Sequence, residues 1–436
     1  MMFALFLACA STPQQEVVPP VETASAIPVP GPLPSWSPPA PQVGRLENGA
    51  TLWVLPDDSL PLVSLRIVFP GGSGMDPEEA PGAAFMAGLL MEEGAGERDS
   101  MEMTRAFELL AASASIDVET QAVIASLDVA TDRFDEAYAL LADSLIRPKL
   151  AREDYTRIQH QHVLSLEEDM ESGSSLASKI AKREHFGASP YARSVSGTPE
   201  GIRALTYEAV KAAYLRLFHP VGAVFVVVGD VDPQEIGDRL LAPLEGWEGE
   251  LGAPLEVPSV EGKKGLFVVN DEGASQTAIR VMGKGPKAGH VDRLAASAAA
   301  VVIGGSFTSR LNYLLREQKG YTYGASARFN TERDFGYLTG GSNVRADATV
   351  DALQEMLGVF ASAGEGFTEE DVNKAHSQIF TDQVDNASSR SGLADFFAER
   401  AGDGLRPDGW AKELELAMTS TGVDIGRGPS RSWGAR

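Results

Sequence analysis

The sequence predicts an α+β protein made of two domains of one design, and three observations carry that prediction. Short stretches of alternating apolar residues, the sign of half-buried strands, are interspersed with longer stretches at helical spacing. Their order is mixed, without the regular strand–helix–strand alternation of a doubly wound sheet, so mostly antiparallel sheets are expected. The second half then repeats the outline of the first.

Taken in order, the folded part begins near Val43. Thr51 to Leu55 and Leu62 to Phe69 read as a hairpin-like pair: Val63, Leu65, Ile67 and Phe69 alternate onto one face, and Pro56-Asp57-Asp58 is a turn signal. Gly71-Gly72-Ser73 precedes a helix over Gly82 to Glu93. A second helix follows Asp99, an N-cap residue with Glu102 three positions on. Strands near Ser115 to Glu119 and Ala122 to Ala130 lead into a helix from Phe134 to Ile146, stopped by Pro148, and a long helix through Leu166. Tyr207 to Phe218 is helical, and Val221 to Val228 is a buried strand ending at Gly229-Asp230.

In the second half, Gln276 to Met282 is a strand, Gly283 to Gly285 a turn, and Val291 to Ile303 a helix stopped by Gly304-Gly305, mirroring the earlier strand, glycine turn and helix. The join falls near Gly246 to Pro258, giving domains over 43–250 and 251–436. A counterpart of Ala223 to Asp230 should close the second sheet, but past Met418 the chain is polar and rich in Gly and Arg. Either the second domain is truncated and its sheet lacks the last strand, or that tail is not the original reading frame.

Composition narrows the function. With 436 residues, 43% of them hydrophobic, the chain is long enough for two or three cores. Its 61 acidic against 37 basic residues give a formal charge of -24, which repels polyphosphate and argues against nucleic acid. No apolar run reaches the ~20 residues of a spanning helix. The N-terminus, MMFALFLACAST, is an apolar stretch ending at Cys9, the only cysteine, and it resembles the lipobox of bacterial lipoproteins. Residues 1–9 would then be a signal-like segment, with Cys9 the lipidated residue that anchors the protein to a membrane of the bacterial cell envelope, facing the periplasm; the alternative is an incidental thiol. Ten of the 26 prolines lie between Pro13 and Pro41, so 10–42 reads as an extended linker.

Three stretches carry a family resemblance. The first is Phe69-Pro70-Gly71-Gly72-Ser73-Gly74-Met75-Asp76-Pro77 with Gly82 through Leu90. The second is Leu217-Phe218-His219-Pro220 with Phe225 through Val231. The third runs from Gly304-Gly305-Ser306-Phe307 through Arg316 to Gly320-Tyr321-Thr322-Tyr323. In order and spacing they resemble the insulinase-like zinc peptidases of family M16, over most of Val43 to Glu399. The resemblance implies two homologous α/β-sandwich domains of the processing-peptidase type.

Active members of that family carry His-x-x-Glu-His on the first helix, two zinc ligands flanking a general base. Here those positions hold Phe85, Gly88 and Leu89, which neither ligate zinc nor accept a proton. The family's remaining ligand is a downstream glutamate, Glu167 or Glu168, which in the run Glu167-Glu168-Asp169 reads better as a solvated helix face. The six histidines include no i, i+4 pair. Ser73, Ser306 and Ser309 sit in no nucleophile elbow and read as turn and cap residues.

The resemblance also implies a positive feature. Family members use an arginine and a tyrosine seven residues apart to position substrate and stabilise an oxyanion, and Arg316 and Tyr323 match that pair. In the two-chain branch of the family one subunit carries zinc and the other carries this pair. The expectation is therefore a non-catalytic subunit without a cofactor of its own, inactive alone, working in a heterodimer with a zinc-bearing subunit on peptide or unfolded polypeptide. A structural or assembly role, or peptide binding without hydrolysis, is the competing expectation.

Overall fold

The computed structural model describes residues 31–249 and 262–432. Residues 31–41 carry no regular secondary structure. Cys9 and the signal-like segment lie outside the described residues, as do 250–258 of the expected join.

The first sheet is built from β1 (Gln42–Arg45), β2 (Thr51–Pro56), β3 (Leu62–Pro70), β6 (Ser113–Val118), β7 (Ala122–Ala130) and β8 (Val224–Gly229), with a two-residue pair, β4 (Gly94–Ala95) and β5 (Arg98–Asp99), standing apart. Its order is β1-β2-β8-β3-β7-β6. The hairpin expected between β2 and β3 is not formed: β8 enters between them, parallel to β2 and antiparallel to β3. The continuous apolar run Val224 to Val228 suits a central strand better than an edge, and that displaces the local partner.

Helices α1 (Ala83–Met91), α2 (Ser100–Leu109), α3 (Phe134–Ile146), α4 (Arg152–Glu171), α5 (Gly173–Phe186), α6 (Pro199–Ala204), α7 (Tyr207–Leu217) and α8 (Ile236–Leu241) belong to this half. Asp99 forms the expected capping box, its carboxylate accepting from Glu102 N at 2.8 Å while Glu102 accepts from Asp99 N at 3.0 Å. Val63, Leu65, Ile67 and Phe69 pack with α1, α3 and α7 in one large core.

The second half holds β9 (Gln276–Lys284), β10 (Thr322–Thr331) and β11 (Gly336–Arg345), in the order β10-β11-β9. Gly283, expected in a turn, lies inside β9 opposite Leu338. Its helices are α9 (Arg293–Ala300), α10 (Arg310–Asn312), α11 (Thr349–Ala361), α12 (Glu369–Asn386), α13 (Arg390–Gly402), α14 (Trp410–Met418) and α15 (Gly422–Ser432). Wider π-type turns prolong α9 over Val301–Gly305 and α10 over Tyr313–Gln318. Residues Arg293–Gln318 are apolar and long enough on composition to span a bilayer, but Val302, Ile303, Leu311 and Leu315 are buried in the second core. Among the described residues this sheet has three strands, and the apolar run Leu266 to Val269 stays exposed outside it.

The two halves are packed against each other. α13 covers the outer face of the first sheet, where Arg66, only 2% exposed, reaches Asp395 at 2.6 Å, Asp128 at 3.0 Å and Ser391 Oγ at 2.8 Å. A cation this deep is tolerated because it is paired and hydrogen-bonded. At the tip of the β10–β11 hairpin, Phe335 stacks on Tyr191 with centroids 4.1 Å apart, and Gln121 Nε2 donates to Asp334 at 2.5 Å.

Candidate functional site

The helix that should carry a metal motif is fixed firmly at its start. The buried Asp76 carboxylate accepts from Gly82 N at 2.9 Å and Ala84 N at 3.0 Å, satisfying backbone donors at the N-terminus of α1, and meets Arg216 at 3.1 Å. Burial outweighs these contacts and pushes its pKa up to about 6. Gly82 has φ +91°, and a Cβ there would lie 2.7 Å from Ile202 Cδ1, so glycine is required.

Along α1 the three motif positions are apolar in environment as well as in sequence. Phe85 is half-buried and packs against the His162 ring of α4, centroids 4.9 Å apart. Gly88 is buried facing β6, and a Cβ would stand 3.0 Å from Val118 Cγ2. Leu89 packs against the first core. His162 Nε2 is 2.7 Å from Ser196 O, Glu167 is ion-paired with Arg203, and Glu168 is exposed. Among the described residues no group of three His, Cys, Asp or Glu side chains is placed to hold a metal ion. The donor set does not fit zinc, and any side chain at position 88 would press on Val118.

Arg316 and Tyr323 lie in a different setting. Arg316, on the π-type turns after α10, stacks its guanidinium 4.2 Å from the centroid of Phe307 and has Glu317 at 3.4 Å, with a third of its side chain exposed. Tyr323 is 91% exposed at the start of β10. It occupies a bulge, because pairing with β11 shifts register between Thr322 and Ala325. The bulge is pinned from three sides: Asn312 Oδ1 accepts from Ala325 N at 2.8 Å, Thr322 Oγ1 donates to Asn343 O at 2.7 Å, and Ser342 Oγ donates to Gly324 O at 2.9 Å. Bulges of this kind re-aim a side chain out of the sheet's alternation.

Tyr323 stands on the rim of a cleft of about 950 Å³ that sequence reading did not anticipate. Its floor is the outer face of the three-stranded sheet, and α5 of the first half supplies a wall through Ser178, Ala181 and Lys182. Wall and floor are separated by more than ninety positions in the chain, and no local pattern joins them. The serines are placed as turn and cap residues: Ser73 opens a short 3-10 turn, Ser309 Oγ accepts from Asn312 N at 3.4 Å, and Ser306 Oγ is buried without a partner among the described residues.

Residues 53–198 fit the family model "Insulinase (Peptidase family M16)", and residues 204–379 fit "Peptidase M16 inactive domain". The chain is similar to the "Non-peptidase homolog YmxG" of Helicobacter pylori, 24% identical over 64% of this chain and 65% of that protein, so the match spans just under two thirds of the relative's length. An uncharacterized zinc protease of Mycobacterium leprae is 24% identical over 71% of this chain and 70% of its own. Among solved structures, a peptidase M16 inactive domain from Pseudomonas fluorescens superposes with a TM-score of 0.83 at 21% identity, covering 90% of this chain and 94% of that one.

Proposed function

The chain belongs to the insulinase-like peptidase family M16, as a member without the zinc motif, and we propose that it is the zinc-free subunit of a heteromeric M16 peptidase. In this reading a separate subunit carries zinc, and this chain lends Arg316 and Tyr323 to the bound polypeptide. The observation that carries it is the contrast between the two sites: the motif positions on α1 are filled by packing, whereas Tyr323 is lifted into solvent by a bulge that three side chains hold. Such investment in an exposed phenol has no packing return.

A guanidinium and a phenol are suited to the part. Both are donors with no need to change protonation, and stacking on Phe307 limits the directions Arg316 adopts, so its charge is oriented before substrate arrives. Its pairing with Glu317, both side chains partly exposed, is weak and easily exchanged for a carbonyl or oxyanion. A second reading, peptide binding without hydrolysis, is favoured by the cleft, which a single chain forms by itself.

Co-purification followed by metal analysis of the separated chains distinguishes these. The proposal expects a zinc-bearing companion and no stoichiometric zinc on this chain; zinc on this chain, or a zinc-free complex, contradicts it. Membrane anchoring at Cys9 in the cell envelope belongs to the same proposal and rests on the sequence alone. Labelled fatty acid should enter the wild type and not Cys9→Ser.

A further inference from the structure

The cleft beside Tyr323 has a charge opposite to that of the molecule. The chain carries a formal charge of -24, yet no aspartate or glutamate is among the described residues that line this cleft, while Lys182, Arg280 and Arg328 are. Lys182 projects from α5, Arg280 from β9 and Arg328 from β10, so three elements converge to bring the cations together.

The hydrogen-bond partners of Arg280 are neutral. Arg280 Nε donates to Ser178 Oγ at 2.9 Å and its Nη1 to Ile279 O at 2.9 Å, with a further bond to Ser174 Oγ. These contacts fix the guanidinium in place without cancelling its charge. Arg328 is exposed on the floor, in register with Thr339 of β11. Lys182 is half-buried, and burial pulls its ammonium pKa down against the opposing charge of Glu332. Glu332 does not line the cleft; burial and the charges of Glu119 and Glu399 raise its pKa to about 7, while the charge of Lys182 opposes that shift. Between the cations Gly341 pairs with Ser326 on one side and Arg280 on the other, and the Arg280 side chain lies across it, within 3.2 Å of where a Cβ would stand, so the absence of a side chain at 341 lets the guanidinium lie along the floor.

We propose that this cleft binds extended polypeptide segments rich in aspartate and glutamate, whose carboxylates meet Lys182, Arg280 and Arg328. This inference rests on the reading of the chain as a polypeptide-handling M16 subunit and adds the chemical class of what it handles. Charge complementarity of this kind acts mostly on selectivity and capture rate, and it suppresses the wrong partner. Basic segments would be repelled by the cations of the cleft, whereas the negative net charge of the molecule attracts them at longer range, so the preference for acidic segments rests on the cleft alone.

The test uses the full chain alone, so its result is independent of any zinc-bearing partner. A fluorescent peptide alternating Asp with Ala is titrated by anisotropy against matched Asn/Ala and Lys/Ala peptides, with inorganic phosphate and ATP as competitors. The acidic peptide should bind at least about tenfold tighter than the neutral one, and Arg328→Glu, at an exposed position, should abolish that preference while Arg328→Lys keeps it. Lys182→Gln should reduce it by several-fold, and added salt should weaken it. Equal affinity for the three peptides, indifference to Arg328→Glu, or displacement by phosphate or ATP as effective as by the peptide would each overturn the proposal. Failure here with a working Arg316 would leave the subunit reading standing, and the reverse result would leave the cleft standing without it.

Discussion

The two halves of the molecule treat the same architectural plan in opposite ways. In the first, a six-stranded sheet is covered on both faces, by α1, α3 and α7 on one side and by α13 on the other. In the second, three strands leave their outer face as the floor of a cleft, with an exposed tyrosine at its rim. The helix whose motif positions are emptied has here become part of a core, and the proposed working surface lies on the open half. What teaches most is position 88, where the general base of active members would stand: Gly88 is buried against β6, and a Cβ there would come 3.0 Å from Val118 Cγ2, so the position is occupied by close packing.

The contrast can be broken first at its covered face. Arg66→Ala removes a buried guanidinium together with its bonds to Asp395, Asp128 and Ser391, and should lower unfolding stability by about 2–4 kcal/mol. Chemical denaturation should still show one transition if α13 and the first sheet unfold together. Two separated transitions would mean that the halves are independent.

Restoring the lost motif sharpens the contrast from the other side. Phe85→His with Gly88→Glu and Leu89→His should cost about 1–3 kcal/mol, because a side chain at 88 drives into Val118 and Ile116, and it should not create a peptidase. Stoichiometric zinc uptake with activity would show that the packing is permissive after all. On the open half, Asn312→Ala frees the Ala325 amide and should cost about 1–2 kcal/mol while loosening the bulge under Tyr323. Its effect on peptide handling should exceed its effect on melting.

The smallest expected effect concerns pH. Burial, assisted by neighbouring carboxylates, raises both Glu332 and Asp403 to about 7. Groups whose folded pKa lies above the unfolded value hold protons more tightly when folded, so their stabilising effect is complete below the ordinary carboxylate range and is lost as pH rises through about 7. Denaturation midpoints should therefore fall modestly between about pH 5 and about pH 8, and Glu332→Gln should flatten that slope.

Much of this plan was legible in the chain. The capping box at Asp99, the helix Phe134–Ile146 and the alternation of Val63 to Phe69 are local patterns, and each formed where its residues predict. The emptied motif at Phe85, Gly88 and Leu89 could be located through the family resemblance, and the side chains there say by chemistry that they cannot ligate zinc. The insertion of β8 between β2 and β3 could not, since pairing across some 160 residues is decided by which run is apolar on both faces. The bulge at Tyr323 was equally hidden: it depends on Asn312 and Ser342, which no periodicity links to it. The cleft needed α5 and the second sheet to meet in space.

The central claim is that this chain completes a site it cannot form alone. The measurement closest to it is kcat/KM for peptide hydrolysis by the reconstituted pair with Arg316→Ala, at equal folded protein. The account predicts a loss of about 10²-fold or more, the size seen when an oxyanion donor is removed. An unchanged rate would contradict it.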